Sequence, residues 1–235
     1  RLHYYVSPQI WAWKSKRRFQ MEKHLDSLAT LLPFEKQYYE DTSLPVTYVG
    51  HPFAKNDYPL RIIRDPNGPI LLLPGSREKS VKKLCPIILD TFQELRKADP
   101  ELRACIIYPS NLIKDILKDI IKDYPKQLAD SIDLLRNDFD HLNCRMALMS
   151  SGTMSLSIAL SGVPGTIIYS LSAFNYWILK FLVKVKFIGL ANLILGEELY
   201  PELIQKSANS ERIFNALKSL SDEDVEERFL KASQT

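Results

Sequence analysis

The chain has three cysteines in 235 residues, too few and too odd a number for a disulfide framework. Cys85, Cys105 and Cys144 lie far apart without metal-ligand spacing, and the four histidines add no zinc-binding pattern, so no metal site is expected. Such sparse thiols fit a reducing, cytoplasmic setting. No run of about 18 apolar residues exists to span a membrane, and no secretory signal is visible. An excess of one charge sign is missing too. Lys and Arg number 31 against 28 Asp and Glu, a formal +3 that gives no reason to expect nucleic acid as a partner. The densest basic cluster, Lys14-Ser15-Lys16-Arg17-Arg18, reads as a solvated helix face. Internal repeats and low-complexity tracts are absent.

What is present is an alternation of apolar strands and amphipathic helices, in a chain long enough for one large or two small domains. Leu2–Val6, Ser27–Leu31 and Val46–Val49 read as strands, separated by helical stretches at Trp13–His24 and Phe34–Glu40. The chain opens at Arg1 and runs at once into a strand pattern, a start that predicts a preceding part of a larger protein. A Pro-punctuated segment, Pro52–Pro69, reads as a linker. Strands are then expected at Ile70–Leu73, Arg103–Tyr108, Ser131–Leu135, Met146–Met149 and Thr166–Tyr169, with helices near Lys82–Lys97, Leu112–Asp123 and Thr153–Leu160. This rhythm predicts an α/β fold with a doubly wound parallel sheet. Right-handed crossovers gather the strand-to-helix loops on one edge, so Arg77 and Ser151-Gly152-Thr153 should face a common crevice. The last quarter reads as helical, with Glu198–Lys206, Glu211–Leu220 and Glu223–Lys231 as short amphipathic helices.

The most informative stretch is Ile70-Leu71-Leu72-Leu73-Pro74-Gly75-Ser76-Arg77. A buried strand runs into a Pro-Gly turn, a hydroxyl and a guanidinium, and a helix follows. Open α/β sheets bind ligands at that place, helix N-termini favour anions, and Arg grips phosphate through two parallel bonds. The stretch alone is compatible with a phosphate site or with an ordinary turn bearing a surface Arg. Ser151-Gly152-Thr153 repeats the strand–helix setting: Thr153 can cap the helix, and hydroxyl and N–H donors there can serve a phosphate. Asn192, between apolar neighbours, needs several partners, as a turn residue or as a ligand contact. Trp11 and Trp13 either pack domains together or line a cleft. His51 reads as ordering its turn. Phe174–Val185, with Lys180 and Lys184 interleaved, suits either an anionic membrane surface or a buried crossover helix.

Taken together, the segments Tyr5-Val6-Ser7-Pro8-Gln9-Ile10-Trp11-Ala12-Trp13-Lys14, Leu32-Pro33-Phe34-Glu35-Lys36, Gly50-His51-Pro52, Leu73–Arg77 and Ser151–Thr153 form an ordered series. It continues through Leu182–Lys186, Ala191–Gly196, Pro201-Glu202-Leu203 and Gln205. In this order the chain resembles the lipid-A-disaccharide synthase family. The resemblance implies an inverting GT-B glycosyltransferase, of which this chain would be the Rossmann-like nucleotide-binding half plus the end of the acceptor half. The implied division is 1–52 for the end of the first domain, 53–69 for a linker, 70–205 for the nucleotide-sugar domain and 206–235 for carboxyl-terminal helices.

The resemblance further implies transfer of 2,3-diacylglucosamine from its UDP derivative to 2,3-diacylglucosamine 1-phosphate, giving the lipid A disaccharide of the Gram-negative outer membrane and UDP. It implies no cofactor, and peripheral association with the inner face of the cytoplasmic membrane. Gly75, Ser76, Arg77, Ser151, Gly152, Thr153, Asn192, Glu198 and Gln205 would hold the donor, with Arg77 and Asn192 assisting catalysis. Trp11 and Trp13 would line the acceptor cleft. The general base is expected in the first domain, so the chain alone should not turn over. Four positions depart from the family pattern: Ser80 and Ser157 stand where Glu is usual, Ser170 where Lys or Arg is, and Ala191 where Pro is. Two alternatives follow from shared architecture and from these departures: a UDP-N-acetylglucosamine epimerase-like enzyme, or a decayed, non-catalytic nucleotide-binding protein.

Overall fold

The computed structural model describes residues 1–12, 14–54, 59–169, 186–220, 227–229 and 231–232. Trp13, Ser170, the Phe174–Val185 stretch and the start of the expected Glu223–Lys231 helix lie outside the described residues. The chain divides into two compact units, residues 1–58 with 171–187 and residues 59–170 with 188–235.

In the first unit, β1 (His3–Tyr5), β2 (Ser27–Thr30) and β3 (Val46–Tyr48) form a parallel sheet in that order. Helix α1 (Arg17–His24) makes the crossover from β1 to β2. It starts later than the expected Trp13–His24, after Lys14 adopts a left-handed φ of +51° that a right-handed helix cannot contain. The expected Phe34–Glu40 helix shrinks to a 3₁₀ turn at Lys36–Tyr39. Just before it, the Glu35 carboxylate accepts the Leu31 and Leu32 amides, each at 3.0 Å, and holds the chain in a turn. Ile10, Met21, Leu28, Tyr39 and Leu44 form this unit's core. The buried Tyr39 hydroxyl is satisfied by Ser7 Oγ at 2.8 Å.

His51 organises its own turn. Its Nδ1 accepts the Phe53 amide at 3.2 Å, and its ring stands edge-on to Phe53 at 4.7 Å. Partial burial lowers its pKa below the ordinary 6.5. The unfolded chain therefore takes up the proton first, and stability falls as pH drops through 6.5 towards the folded value. Between about pH 8 and 5 the melting temperature of the unaltered chain should decline more than that of His51→Asn. Parallel curves would show that this imidazole carries no such linkage.

The second unit holds a six-stranded, all-parallel sheet among the described residues. Its strands are β5 (Ile70–Leu73), β6 (Ala104–Tyr108), β7 (Ile132–Arg136), β9 (Met146–Ser150), β10 (Gly165–Tyr169) and β11 (Glu202–Ile204). Their order is β11-β10-β9-β5-β6-β7. Every residue of β5 and β6 is buried, as continuous apolar strands covered on both faces require. Helix α2 (Glu78–Ala98) sets Val81, Leu84, Cys85, Ile88, Leu89 and Phe92 into the core at helical spacing. Helix α3 (Asn111–Ile121) links β6 to β7, the short α4 (Lys126–Ala129) precedes β7, and α5 (Thr153–Leu160) links β9 to β10. The β5-to-β6 and β9-to-β10 crossovers step in opposite directions from the sheet centre. Right-handed connections then place α2 and α5 on opposite faces.

Two expectations change. The Pro52–Pro69 segment contributes β4 (Ile62–Arg64), which pairs in parallel with β8 (Leu142–Cys144), a match too short to leave a periodic signal. The expected Glu198–Lys206 helix is replaced by β11, registered with Ile167 opposite Glu202, and a 3₁₀ turn at Gln205–Ser207. Pro201 disfavours helical backbone in the residue before it and opens this strand. Helix α6 (Leu190–Leu195) stops at Gly196, whose φ of +72° closes a left-handed cap. Helix α7 (Ser210–Ser219) begins on the Asn209 side chain, which accepts the Arg212 amide at 3.0 Å. Among the described residues no helix is long and apolar enough to cross a membrane.

Candidate functional site

The sheet order places a topological switch between β5 and β9. The chain leaves β5 for β6 on one side and leaves β9 for β10 on the other, so a crevice opens where the two exit loops diverge, at the strands' carboxyl ends. Leu73 and Met149 are in register, so the β5 turn and the Ser150–Gly152 turn start side by side. Gly75 has φ +109°, a conformation that side chains resist. It turns the chain so that Arg77 becomes the N-cap of α2, with no side chain bonding the cap. The first-turn amides of α2 have no acceptor within their own helix. Ser80 Oγ donates to the Pro74 carbonyl at 3.0 Å and locks the turn from inside.

Gly75, Ser76, Arg77, Ser151, Gly152 and Thr153 all line one cavity of about 380 Å³. Ser80, Ser150, Asn137 and Tyr169 complete its polar wall, and Leu73, Leu84, Ile107 and Met154 its apolar one. Among the described lining residues Arg77 is the one charged side chain, and it has no carboxylate partner there. Burial raises the Tyr169 phenol above its ordinary pKa, opposed by the Arg77 charge, so it remains a neutral hydrogen-bonding group. Asn137 and Ser150 went unremarked in the sequence. Their only signal there is that each ends or follows a parallel strand. A Cβ on Gly75 would sit 2.8 Å from Ser80 Oγ and 3.3 Å from Ser150 Oγ. Gly75→Ala should therefore cost roughly 1–3 kcal/mol and remodel the turn. A thermal melt within about 1 °C of the unaltered chain, roughly what a fraction of a kcal/mol produces, would contradict this.

The capping role expected of Thr153 falls to its neighbour. Gly152 is the N-cap of α5, Thr153 is the first helical residue, and the side chain that bonds the turn is Ser155, whose Oγ donates to the Gly152 carbonyl at 2.7 Å. Thr153 is thus exposed to the cavity. Ser157 is buried on α5 and does not line the cavity.

Within the second unit, Asn192, Glu198 and Gln205 do not line that cavity. Asn192 is fully buried, and its amide is spent internally: Nδ2 donates to Tyr200 O at 2.7 Å and Glu202 Oε1 at 2.8 Å, and Oδ1 accepts Tyr200 N at 2.8 Å. Glu202 also accepts the Ile188 and Gly189 amides at 2.7 and 2.8 Å. This node ties the start of α6 to β11, which is the turn-residue reading of Asn192. Glu198 is exposed, with Oε1 3.4 Å from the Glu202 amide. Gln205 has φ +58° directly after Ile204, the register partner of Tyr169, so it sits at the same sheet edge as the cavity. Trp11, in the first unit, is buried edge-on against Phe34 at 5.3 Å, and its Nε1 donates to Glu35 Oε1 at 3.2 Å. That carboxylate thereby fastens the Trp11 loop to the Leu31–Leu32 turn, and Trp11 is a packing residue of its own unit.

Comparison with known proteins bears on the family and the fold. A sequence model of the lipid-A-disaccharide synthetase family matches residues 1–234. The chain is 36% identical over 232 residues to the lipid-A-disaccharide synthase of Nitrosococcus oceani, covering 94% of the chain and 59% of that protein. It is 34% identical over 221 residues to the Coxiella burnetii enzyme of the same name, covering 89% of the chain and 57% of that protein. The chain therefore spans less than two thirds of the length of these relatives. Among solved structures, a point mutant of S. aureus TarM, in complex with Fondaparinux, alpha-GlcNAc-glycerol and UDP, superposes with a TM-score of 0.56 at 12% identity, over 99% of this chain and 47% of that one. The α/β fold is of the GT-B glycosyltransferase kind, and by its near-complete family match the chain belongs to the lipid-A-disaccharide synthetases.

Proposed function

We propose that this chain supplies the nucleotide-sugar-binding part of a lipid-A-disaccharide synthase. In that reaction a 2,3-diacylglucosamine unit passes from its UDP derivative to 2,3-diacylglucosamine 1-phosphate, at the cytoplasmic face of the membrane. The observation that carries the reading is the convergence of two strand–turn–helix loops on one cavity whose lone charge, among the described residues, is the Arg77 guanidinium. A departing diphosphate needs such an environment: fixed donors and a cation aimed at charge that grows as the glycosidic bond breaks.

Arg77, with the first amides of α2, takes the diphosphate. Ser76, Ser151 and Thr153 donate hydroxyls, and Gly75 and Gly152 let the backbone come close. Gln205, at the same sheet edge, serves the donor sugar in this reading. The acceptor's hydroxyl must lose a proton as it attacks and inverts the anomeric centre. No carboxylate or imidazole is found among the described lining residues, so this cavity stabilises the leaving group and the proton goes elsewhere. Asn192 and Glu202 act through the loop they hold.

The reading is tested by calorimetric titration of the chain with UDP and with UMP. UDP should bind, and more tightly than UMP, because the second phosphate faces Arg77. Equal affinities would remove the diphosphate from the cavity. For the activity itself, UDP release by the full-length protein should require both acylated substrates, and release from unacylated UDP-N-acetylglucosamine would sink the lipid-specific assignment.

A further inference from the structure

Tyr169 is the last residue of β10, and it lines the same cavity as Arg77. Strands β5 and β10 have β9 alone between them, so they stand about 9–10 Å apart, two strand spacings. Arg77 follows the turn after β5, and Tyr169 comes from the far side. Ser150, Ser151 and Gly152, at the exit of β9, lie between them in the strand order.

Two observations single out the phenol. Its hydroxyl makes no hydrogen bond to another described residue, although a partly buried tyrosine ordinarily finds one. Tyr124 and Tyr200 give theirs to the Pro86 and Val163 carbonyls, at 3.0 and 2.8 Å. The Ser80 hydroxyl, in the same cavity, is already committed to the Pro74 carbonyl. Secondly, burial raises the Tyr169 pKa and the Arg77 charge opposes that rise, so the two groups act on one another across the cavity. A protonated donor and a cation thus open onto one space, and an oxygen carrying negative charge there satisfies both.

We propose that Tyr169 is a catalytic residue of the transfer, its hydroxyl donating a hydrogen bond to the outer phosphate of the diphosphate that Arg77 holds. The assignment rests on the transferase reading above and adds a group to it. The bond between the anomeric carbon and the bridging phosphate oxygen breaks, and its electron pair stays on that oxygen. The acceptor oxygen forms the new bond to the carbon and gives its proton to a base outside the described cavity lining. Tyr169 keeps its own proton throughout, and its hydrogen bond strengthens as charge collects on the phosphate.

The test is calorimetric titration of the 235-residue chain and of Tyr169→Phe with UDP and with UMP. The substitution keeps the ring and removes only a hydroxyl without a described partner, so the variant should melt no lower than the unaltered chain. Its UDP affinity should fall about tenfold, the effect of losing a hydrogen bond to a charged group. UMP lacks the outer phosphate and should bind the two proteins alike. Added to Arg77→Ala, the substitution should cost less than it does alone, because both groups grip one phosphate. An unchanged UDP affinity, an equal loss for UMP, or losses that multiply independently would each overturn the proposal and leave the nucleotide-sugar reading standing. So would a melting temperature that falls along with UDP affinity, which would make the hydroxyl structural. Failure of the unaltered chain to bind UDP would instead remove the nucleotide-sugar reading, and the role of Tyr169 with it.

Discussion

Arg77→Ala is expected to weaken UDP binding by about ten- to a hundredfold, because a hydrogen bond to a charged group contributes about 1.5–3 kcal/mol. The substitution should leave the fold untouched. The guanidinium has no carboxylate partner among the described lining residues, and its backbone, not its side chain, forms the α2 N-cap. Arg77→Lys keeps the charge but loses the planar fork that matches phosphate oxygens, so it should recover only part of the loss. Under the proposed transferase activity the same change should lower turnover by about two to three decades, as removal of one preorganised donor does where charge develops. Titration with UDP at two salt concentrations checks the first outcome. An unchanged affinity in the alanine variant removes Arg77 from the site.

Gly165→Ala should be the most destabilising single methyl addition in the second unit. A Cβ there would overlap the Ala147 carbonyl oxygen and lie 3.0 Å from its carbon. Both residues are buried, and they are register partners in adjacent central strands. The obstacle is backbone, so no rotamer change relieves it and β9 and β10 must separate. A cost of about 3 kcal/mol, at the upper end for overpacking, corresponds to a fall in melting temperature of roughly 6–12 °C. Because β9 ends at Ser150 and β10 at Tyr169, the same separation widens the cavity, and UDP affinity should fall with stability. Gly152→Ala is the matched control: nothing lies within 4 Å of its Cβ position, and its φ of −160° suits any residue. A Gly165→Ala melt indistinguishable from that control would show that the sheet yields at no cost.

Much of the second unit was legible because parallel strands buried on both faces leave an unbroken apolar run. Ile70–Leu73 and Met146–Ser150 declare themselves, and amphipathic α2 and α3 follow from 3.6-residue spacing. The glycine turn before Arg77 marked the site for the same local reason. Less legible were elements whose conformation depends on a distant partner. Glu202–Ile204 has the composition of an amphipathic helix and becomes a strand because β10 offers it an edge and Pro201 starts it extended. Ile62–Arg64 reads as linker until β8 arrives to pair with it. Asn192 carried the same ambiguity: a buried amide needs partners, and spacing alone does not say whether they belong to a ligand or to Tyr200 and Glu202.

By itself, then, the sequence determined the α/β class, the family, the strand–turn–helix at Gly75–Arg77 and its relation to Ser151–Thr153, because each rests on neighbours along the chain. Only the tertiary structure decided which candidates meet. It put Arg77, Thr153, Asn137 and Tyr169 around one cavity, and it kept Asn192 and Trp11 for internal hydrogen bonds. Those outcomes depend on strand order and on the competition between protein and ligand for each buried polar group, and neither is a property of any local stretch of sequence.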